Sequence, residues 1–241
     1  VHALDTKIVM QINHRAMDPN ELSLDEIAEI LRAYTEAAGR VKRAGFDGVQ
    51  VHLAHGYLLS QFMSPVANRR TDKWRGIRMA EEVLRAVRTE VGPDYPVLVK
   101  FNCDSLESGS LTLDESAAEA QALEQAGADA IEVSGAAAIQ PHIRTREQEA
   151  YFAPYARRIK EAVHVPVILV GGLRSLERME EVANDGVADF VSMSRPFVRE
   201  PDLVAKFREG KPLADCISCG KCWSSEETAN RCGVVEKQGG E

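Results

Sequence analysis

A similar stretch of sequence occurs three times in this chain, and it restricts the possible folds more than any other feature. AGFDGVQVH begins at Ala44, AGADAIEVSG begins at Ala126, and GVADFVSM ends at Met193. In each copy a glycine and a nearby aspartate lead from a predicted helix into an apolar run. This is an internal βα repeat, which predicts a right-handed parallel βα array with a barrel as its commonest closed form.

The sequence predicts six strands, whereas a closed barrel of this type has eight. Two unpaired edges are poorly tolerated in a stable monomer. We therefore expect that segments of a longer natural chain are missing here and that the intact mass exceeds 26.5 kDa. The predicted strands lie near residues 8–12, 47–52, 96–101, 130–134, 166–170 and 189–194.

Helices between these strands are indicated by their start signals and apolar spacing. Ser23 and Thr112 each stand three residues before a glutamate, which predicts reciprocal capping at two helix starts. An amphipathic helix is predicted from Arg75, and a further helix over residues 146–163.

Composition excludes several classes of protein. The 241 residues have a net charge of −8, which argues against non-specific binding to nucleic acid or to an anionic membrane. There is no apolar run near the length of a membrane span, and VHALDTK lacks the features of a signal peptide. We expect a cytoplasmic protein with a small-molecule substrate, without nucleic-acid or membrane partners, that could form a homo-oligomer.

Polar chemistry appears abruptly at the end of the second predicted strand. His52, His55 and Tyr57 follow one another within six residues, where parallel α/β enzymes place reactive groups. Two imidazoles can donate hydrogen bonds to one carbonyl oxygen, and a neighbouring phenol can transfer a proton to a developing carbanion. A single His or Tyr is more often structural, but three such groups at one strand end favour catalysis.

The last two predicted strands carry the residues of a phosphate site. Gly171 and Gly172 let backbone amides approach an anion, and Ser194 and Arg195 present a hydroxyl and a guanidinium one βα unit later. Lys100 lies within VLVKFN, among apolar neighbours. It either packs its stem and reaches solvent or places a cation in the site, and the apolar surroundings favour the site.

Four of the five cysteines lie in the last 26 residues of the chain, which points to a reducing compartment and metal chemistry. They form the pattern C-x2-C-x2-C-x9-C. Thiolates at this spacing can surround a 4Fe-4S cluster, whereas structural zinc is the alternative because four thiolates also suit a tetrahedral ion. The predicted ligands are Cys216, Cys219, Cys222 and Cys232. We interpret Cys103 as a buried apolar residue.

The stretch HLAHGYLLSQFMSPVANRRTD, residues 52–72, resembles the signature of the Old Yellow Enzyme family of NADH:flavin oxidoreductases. The resemblance covers nearly the whole chain. It implies a (β/α)8 TIM barrel that lacks its first two strands in this sequence, and FMN as cofactor. The cysteine pattern resembles that of the trimethylamine dehydrogenase and 2,4-dienoyl-CoA reductase branch, although the interval before the fourth cysteine is shorter.

The resemblance also implies roles for single residues. Gln11 matches the glutamine that binds the pyrimidine edge of the flavin, and Lys100 stands where the family more often has arginine beside the flavin. Arg195, with the backbone at Gly172 and Ser194, would hold the phosphate. His52 and His55 would bind the substrate carbonyl, and Tyr57 would donate the proton.

We therefore predict an α/β oxidoreductase with a barrel domain over residues 1–210 and a Cys-rich segment over 211–241. Hydride would pass from NAD(P)H through FMN to an electron-poor alkene. One alternative is a non-catalytic barrel that binds a phosphate ligand and has lost redox function. Another is a barrel lyase or isomerase with Lys100 as a Schiff base, which leaves the paired histidines without a task.

Overall fold

Six parallel strands form one curved sheet in the computed structural model, which describes residues 1–104, 111–135, 143–222 and 231–234. The order of the strands in the sheet is their order along the chain. Within the described ranges, the first and last strands therefore each pair on one side only. The strands are β1 (Val9–Ile12), β2 (Gly48–Leu53), β3 (Val97–Asn102), β4 (Ala130–Ser134), β5 (Val167–Val170) and β6 (Phe190–Ser192). The six predicted strands are confirmed.

Helices cover one face of this sheet, as in a (β/α) barrel. Both predicted capping boxes are present, since the hydroxyls of Ser23 and Thr112 accept from the backbone N–H three residues later at 3.2 Å. The helices are α1 (Leu24–Arg43), α2 (Leu58–Met63), α3 (Arg78–Val91), α4 (Leu113–Gln125), α5 (Ala153–Lys160), α6 (Leu176–Asn184), α7 (Arg195–Arg199) and α8 (Leu203–Arg208). Short 3-10 turns occupy His2–Leu4 and Arg146–Gln148.

The single helix predicted over residues 146–163 is wrong. The structure divides this range into the turn Arg146–Gln148 and helix α5. Between them Ala150 has a left-handed backbone with φ 57°, which a continuing right-handed helix does not allow. Pro154 then stands in the first turn of α5, where its missing N–H leaves no intrahelical hydrogen bond unmade.

The two faces of the sheet have different chemistry. Residues such as Val51, Val99 and Ile131 are fully buried on the helix-covered face. The alternate residues point to the concave face, because side chains in a strand project to opposite sides in turn. His52, Lys100 and Glu132 are paired in register there, on neighbouring strands. The concave face thus holds the polar groups, whereas the opposite face forms the core.

The aspartate of each sequence repeat forms the same pair of hydrogen bonds with the preceding strand. The carboxylates of Asp47, Asp129 and Asp189 each accept a hydrogen bond of 2.8 Å from a backbone N–H near the start of the preceding strand. Each aspartate N–H returns a bond to the carbonyl of that same residue. Basic side chains flank all three carboxylates. The repeat therefore fixes how each strand enters the sheet.

No helix in the described ranges has both the length and the apolar character needed to cross a bilayer.

We expect Asp189→Ala to lower the free energy of unfolding by about 1–3 kcal/mol, because it leaves the N–H of Val167 without its charged acceptor. Asp189→Asn keeps an acceptor oxygen and should lose less. Urea unfolding should show a lower midpoint with an unchanged slope. Glu180→Ala, at an exposed position of α6, is the matched control. An equal effect of Asp189→Ala and Glu180→Ala would contradict this role.

Candidate active site at the strand ends

Three polar side chains cluster where β2 ends. His52 is almost fully buried at 3% exposure, whereas Tyr57, in the following turn, is 40% exposed. The turn is tight because His55 and Gly56 both have left-handed backbones, with φ of 62° and 75°. It brings the ring centroids of His55 and Tyr57 to 5.0 and 5.2 Å from that of His52. A left-handed non-glycine residue such as His55 carries backbone strain, which proteins concentrate at functional sites.

Burial keeps both imidazoles neutral at pH 7. It lowers the pKa of His52 to about 4; repulsion from a protonated His55 and from Lys100 adds to this, whereas Glu132 opposes it. Burial and Lys100 also lower the pKa of His55 to about 4. One ring nitrogen of His55, Nε2, lies 2.8 Å from the Ser134 hydroxyl. Among the described residues, Nδ1 of His52 has no hydrogen-bond partner although it is buried. Neutral imidazoles at this strand end can act as hydrogen-bond donors to a ligand.

A chain of hydrogen bonds crosses the concave face beside the histidines. Nζ of Lys100 lies 2.6 Å from Oε1 of Glu132, and Nε2 of Gln50 donates to the other oxygen of Glu132 at 2.8 Å. Nε2 of Gln11 donates to Oε1 of Gln50 at 2.7 Å. Burial raises the pKa of Glu132, but Lys100 and Gln50 outweigh it and hold this pKa below its ordinary value. Glu132 is therefore a carboxylate.

Sequence reasoning did not select Glu132, Gln50 or Ser134 for this site. Their positions could have revealed them, since each is a polar residue among the apolar residues of a repeat strand. Glu132 also occupies the same register position as His52 and Lys100. The strand alternation in DGVQVH and DAIEVS could have placed Gln50 and Glu132 on the same face as His52.

The predicted phosphate residues meet around one small cavity after β5 and β6. Gly171, Gly172, Ser194 and Arg195 all line it. Gly172 has φ 72°, and a Cβ there would stand 2.9 Å from the Tyr151 ring, so the backbone requires glycine. Arg195 is buried at 9% exposure. A guanidinium beside exposed backbone is a donor set that fits a phosphate group.

All four clustered cysteines line a second small cavity, together with Arg195 and Arg199. Burial raises the pKa of the Cys222 thiol, and the neighbouring Cys216 and Cys219 add to this, whereas Arg195 opposes it. Within the described part of the chain, no three acidic, histidine or cysteine side chains are arranged around a point that could hold one metal ion.

Parts of the predicted Cys-rich segment 211–241, namely residues 223–230 and 235–241, lie outside the described residues. The beginning of the segment lies against the barrel, because the N–H of Leu176 bonds to the carbonyl of Pro212 and the N–H of Ala214 to that of Arg174.

Cys103 is fully buried, as expected of an apolar residue, and burial raises the pKa of its thiol well above the ordinary value.

The structure places the predicted residues of the site at one edge of the sheet. Because all six strands are parallel, their carboxyl ends lie on the same rim. The residues found at or next to that rim are Gln11, His52, His55, Tyr57, Lys100, Gly171, Gly172, Ser194 and Arg195. The arrangement combines neutral hydrogen-bond donors, a paired cation and an anion site, which together can hold a charged planar ligand and a carbonyl substrate.

The loop after α2 is structural. Nδ2 of Asn68 donates to the carbonyls of Phe62 and Trp74 at 2.7 and 2.9 Å, and Asn68 is 1% exposed. Arg70 forms a bidentate pair with Asp72 and also donates to two carbonyls between α1 and β1. These bonds hold the loop in place.

This chain is similar in sequence and fold to known flavin oxidoreductases. A family model described as NADH:flavin oxidoreductase / NADH oxidase matches residues 1–214. An NADH oxidase of Thermoanaerobacter brockii is 36% identical over 256 positions, which cover 91% of this chain and 39% of that protein. This chain thus spans about two fifths of that relative's length.

Two solved structures are similar in both fold and sequence. A 2-naphthoyl-CoA reductase in complex with 2-naphthoyl-CoA has a TM-score of 0.75 and 28% identity, over 88% of this chain and 34% of that one. A morphinone reductase variant in complex with tetrahydroNAD has a TM-score of 0.64 and 31% identity, over 80% of this chain and 52% of that one.

We expect His52 and His55 to stay neutral in the folded protein until the pH falls well below 6.5. Their pKa values are lowered on folding, so the unfolded chain takes up protons first, and stability should decrease as the pH falls from about 6.5 to about 4. Imidazole 15N chemical shifts of the folded protein, and of the protein in urea, measure both states. Protonation of either folded imidazole near pH 6.5 would contradict its burial.

Proposed function

Because this chain belongs to the NADH:flavin oxidoreductase / NADH oxidase family, we propose that it is the FMN-binding part of an enzyme that reduces electron-poor alkenes with NADH or NADPH. The observation that carries the proposal is the position of two neutral histidines and a tyrosine on the same rim as a buried arginine and a Gly-Gly turn. Since the chain spans only part of its relatives, the activity of the whole protein is inferred from this rim.

The residues present fit FMN at two places. Arg195, with the backbone at Gly172 and the Ser194 residue, would hold the phosphate. Gln11 would bind the polar edge of the ring system, and Lys100 would stabilise negative charge beside it. When bound, FMN would supply the hydride-transfer chemistry that amino-acid side chains lack.

The remaining groups act on the substrate. His52 and His55 would donate hydrogen bonds to its carbonyl oxygen, where negative charge accumulates during the reaction. Being neutral, each imidazole offers one N–H without adding a full charge. Tyr57, the most exposed of the three, would donate a proton to the carbon next to the carbonyl. An alkene conjugated to a carbonyl meets both requirements.

The relatives support this class of reaction. Morphinone reductase has been solved with tetrahydroNAD, which supports a nicotinamide reductant. The 2-naphthoyl-CoA reductase binds a thioester whose carbonyl is conjugated to an unsaturated ring. Reduction of a substrate with a conjugated carbonyl is therefore the reaction we propose here.

We further propose that the cysteines hold a 4Fe-4S cluster for one-electron transfer, in a Cys-rich segment 211–241 that follows a barrel domain over 1–210. The four sulfurs lining one cavity support this, together with the guanidiniums of Arg195 and Arg199, whose positive charge suits an anionic cluster. Thiol ligands of this kind require a reducing compartment, for which we propose the cytoplasm. A homo-oligomer and the absence of nucleic-acid and membrane partners stay predictions.

The proposed function predicts that the full-length protein is purified with FMN and binds phenolic ligands that imitate an enolate. Replacing both histidines, as His52→Ala with His55→Ala, should weaken phenol binding at least about tenfold, because two hydrogen bonds to a charged oxygen are lost. Absorbance titration of the flavin measures this binding.

His2→Ala is the control, because His2 pairs with Asp47 at the opposite end of the sheet. Phenol binding that is unchanged in the double variant would contradict the roles of His52 and His55. A colourless protein that cannot be reconstituted with FMN would instead favour the non-catalytic phosphate-binding barrel.

The cluster proposal predicts about four iron atoms and four sulfides per chain in anaerobically purified protein. Cys219→Ser should lose most of this iron together with the visible absorbance. Cys103→Ala, which changes a buried cysteine outside the cluster pattern, should keep it. Stoichiometric zinc without iron would contradict the 4Fe-4S proposal and would establish a structural zinc site at these cysteines.

A further inference from the structure

The polar side chains on the concave face form a connected series of hydrogen bonds that runs from Glu132 through Gln50 to Gln11. Glu132 receives hydrogen bonds on both carboxylate oxygens, from Lys100 and from Gln50. Glu132 on β4 therefore connects to β2 and β3 across the concave face, and Gln50 connects it onward to Gln11 on β1.

The charge of Glu132 determines the direction of every bond in this chain. An ionised carboxylate can only accept hydrogen bonds, so Gln50 must turn its NH2 group toward Glu132. The carbonyl oxygen of Gln50 then faces Gln11, which must donate its own NH2 group in turn. The carbonyl oxygen of Gln11 is left without a protein donor among the described residues. An amide that would otherwise flip freely between two orientations is thereby held in one.

We propose that Glu132 is a positioning residue which, through Gln50, makes Gln11 present a hydrogen-bond acceptor to the cofactor. The inference rests on the proposed function, in which Gln11 binds the polar edge of FMN. It adds that Gln11 selects between ligands, because a hydrogen-bond acceptor at this position requires an N–H on the ligand. The imide N3–H of a flavin is such a donor, and a flavin methylated at N3 is not.

Lys100 keeps Glu132 ionised and so maintains the directions of these hydrogen bonds. Glu132 is 7% exposed, and a carboxylate at this depth takes up a proton unless a cation compensates its charge. With Lys100 at 2.6 Å, the ionised form is retained, and with it the requirement that Gln50 donates. A protonated or amide side chain at residue 132 could both donate and accept, so the two glutamines would no longer have a single orientation.

The test compares two flavins in flavin-free full-length protein. We expect wild type to bind FMN at least about tenfold more tightly than N3-methyl FMN, since the methyl group leaves the Gln11 carbonyl without a donor. In Glu132→Gln this ratio should fall to within about threefold. Glu132→Asp retains an acceptor-only carboxylate and should retain the ratio. Both flavins meet the same Lys100, so the ratio is insensitive to the lost charge pair.

Glu161→Gln, at an exposed position after α5, is the matched control and should bind both flavins as wild type does. If Glu132→Gln does not fold, Gln50→Leu breaks the same chain and should lower the ratio equally. An undiminished ratio in a folded Glu132→Gln or Gln50→Leu variant would overturn the inference while leaving the proposed function intact. Wild type that binds neither flavin would overturn both.

Discussion

The carboxylate at the entry to each repeated strand is the interaction on which the remaining geometry depends. Asp47, Asp129 and Asp189 bind the start of the neighbouring strand through both side chain and backbone, which sets the register of that pair. A slip of one residue would turn every side chain of a strand to the opposite face. Asp129 in this way sets the register that places Lys100 beside Glu132, and the pairing of β2 with β3 adds His52 to the same row on the concave face.

A buried ion pair is a costly way to stabilise a fold, because both charges lose their hydration. The ion pair between Lys100 and Glu132 therefore matters more for the electrostatics of the candidate site than for the stability of the fold. It puts a compensated cation next to two imidazoles, and that cation helps to keep them neutral. The same carboxylate orders the amides of Gln50 and Gln11. One pair of charges thus lies between the histidines proposed to bind the substrate and the glutamines proposed to bind the cofactor.

The cavity proposed to hold a phosphate and the cavity lined by the cysteines share lining residues. Arg195 lines both cavities, and Ser218, which lies between two of the cysteines in sequence, lines the phosphate cavity. Ser218 is buried and has a left-handed backbone, and its carbonyl accepts from Arg195 at 3.4 Å. The cysteine loop is therefore packed onto the barrel, so the two proposed cofactors would bind to adjoining parts of one structure.

The sequence by itself determined the six parallel strands and the capped helices, because apolar periodicity, capping boxes and the βα repeat are local patterns. It also placed polar residues such as His52 at strand ends, whereas the role of Gln11 was implied by the resemblance to a family. It did not reveal the bond between Lys100 and Glu132, which are 32 residues apart. Nor could it show that Ala150 interrupts a predicted helix. Partners on different strands meet only when the sheet curves and its register is set, so the donor directions in the site were decided by tertiary structure.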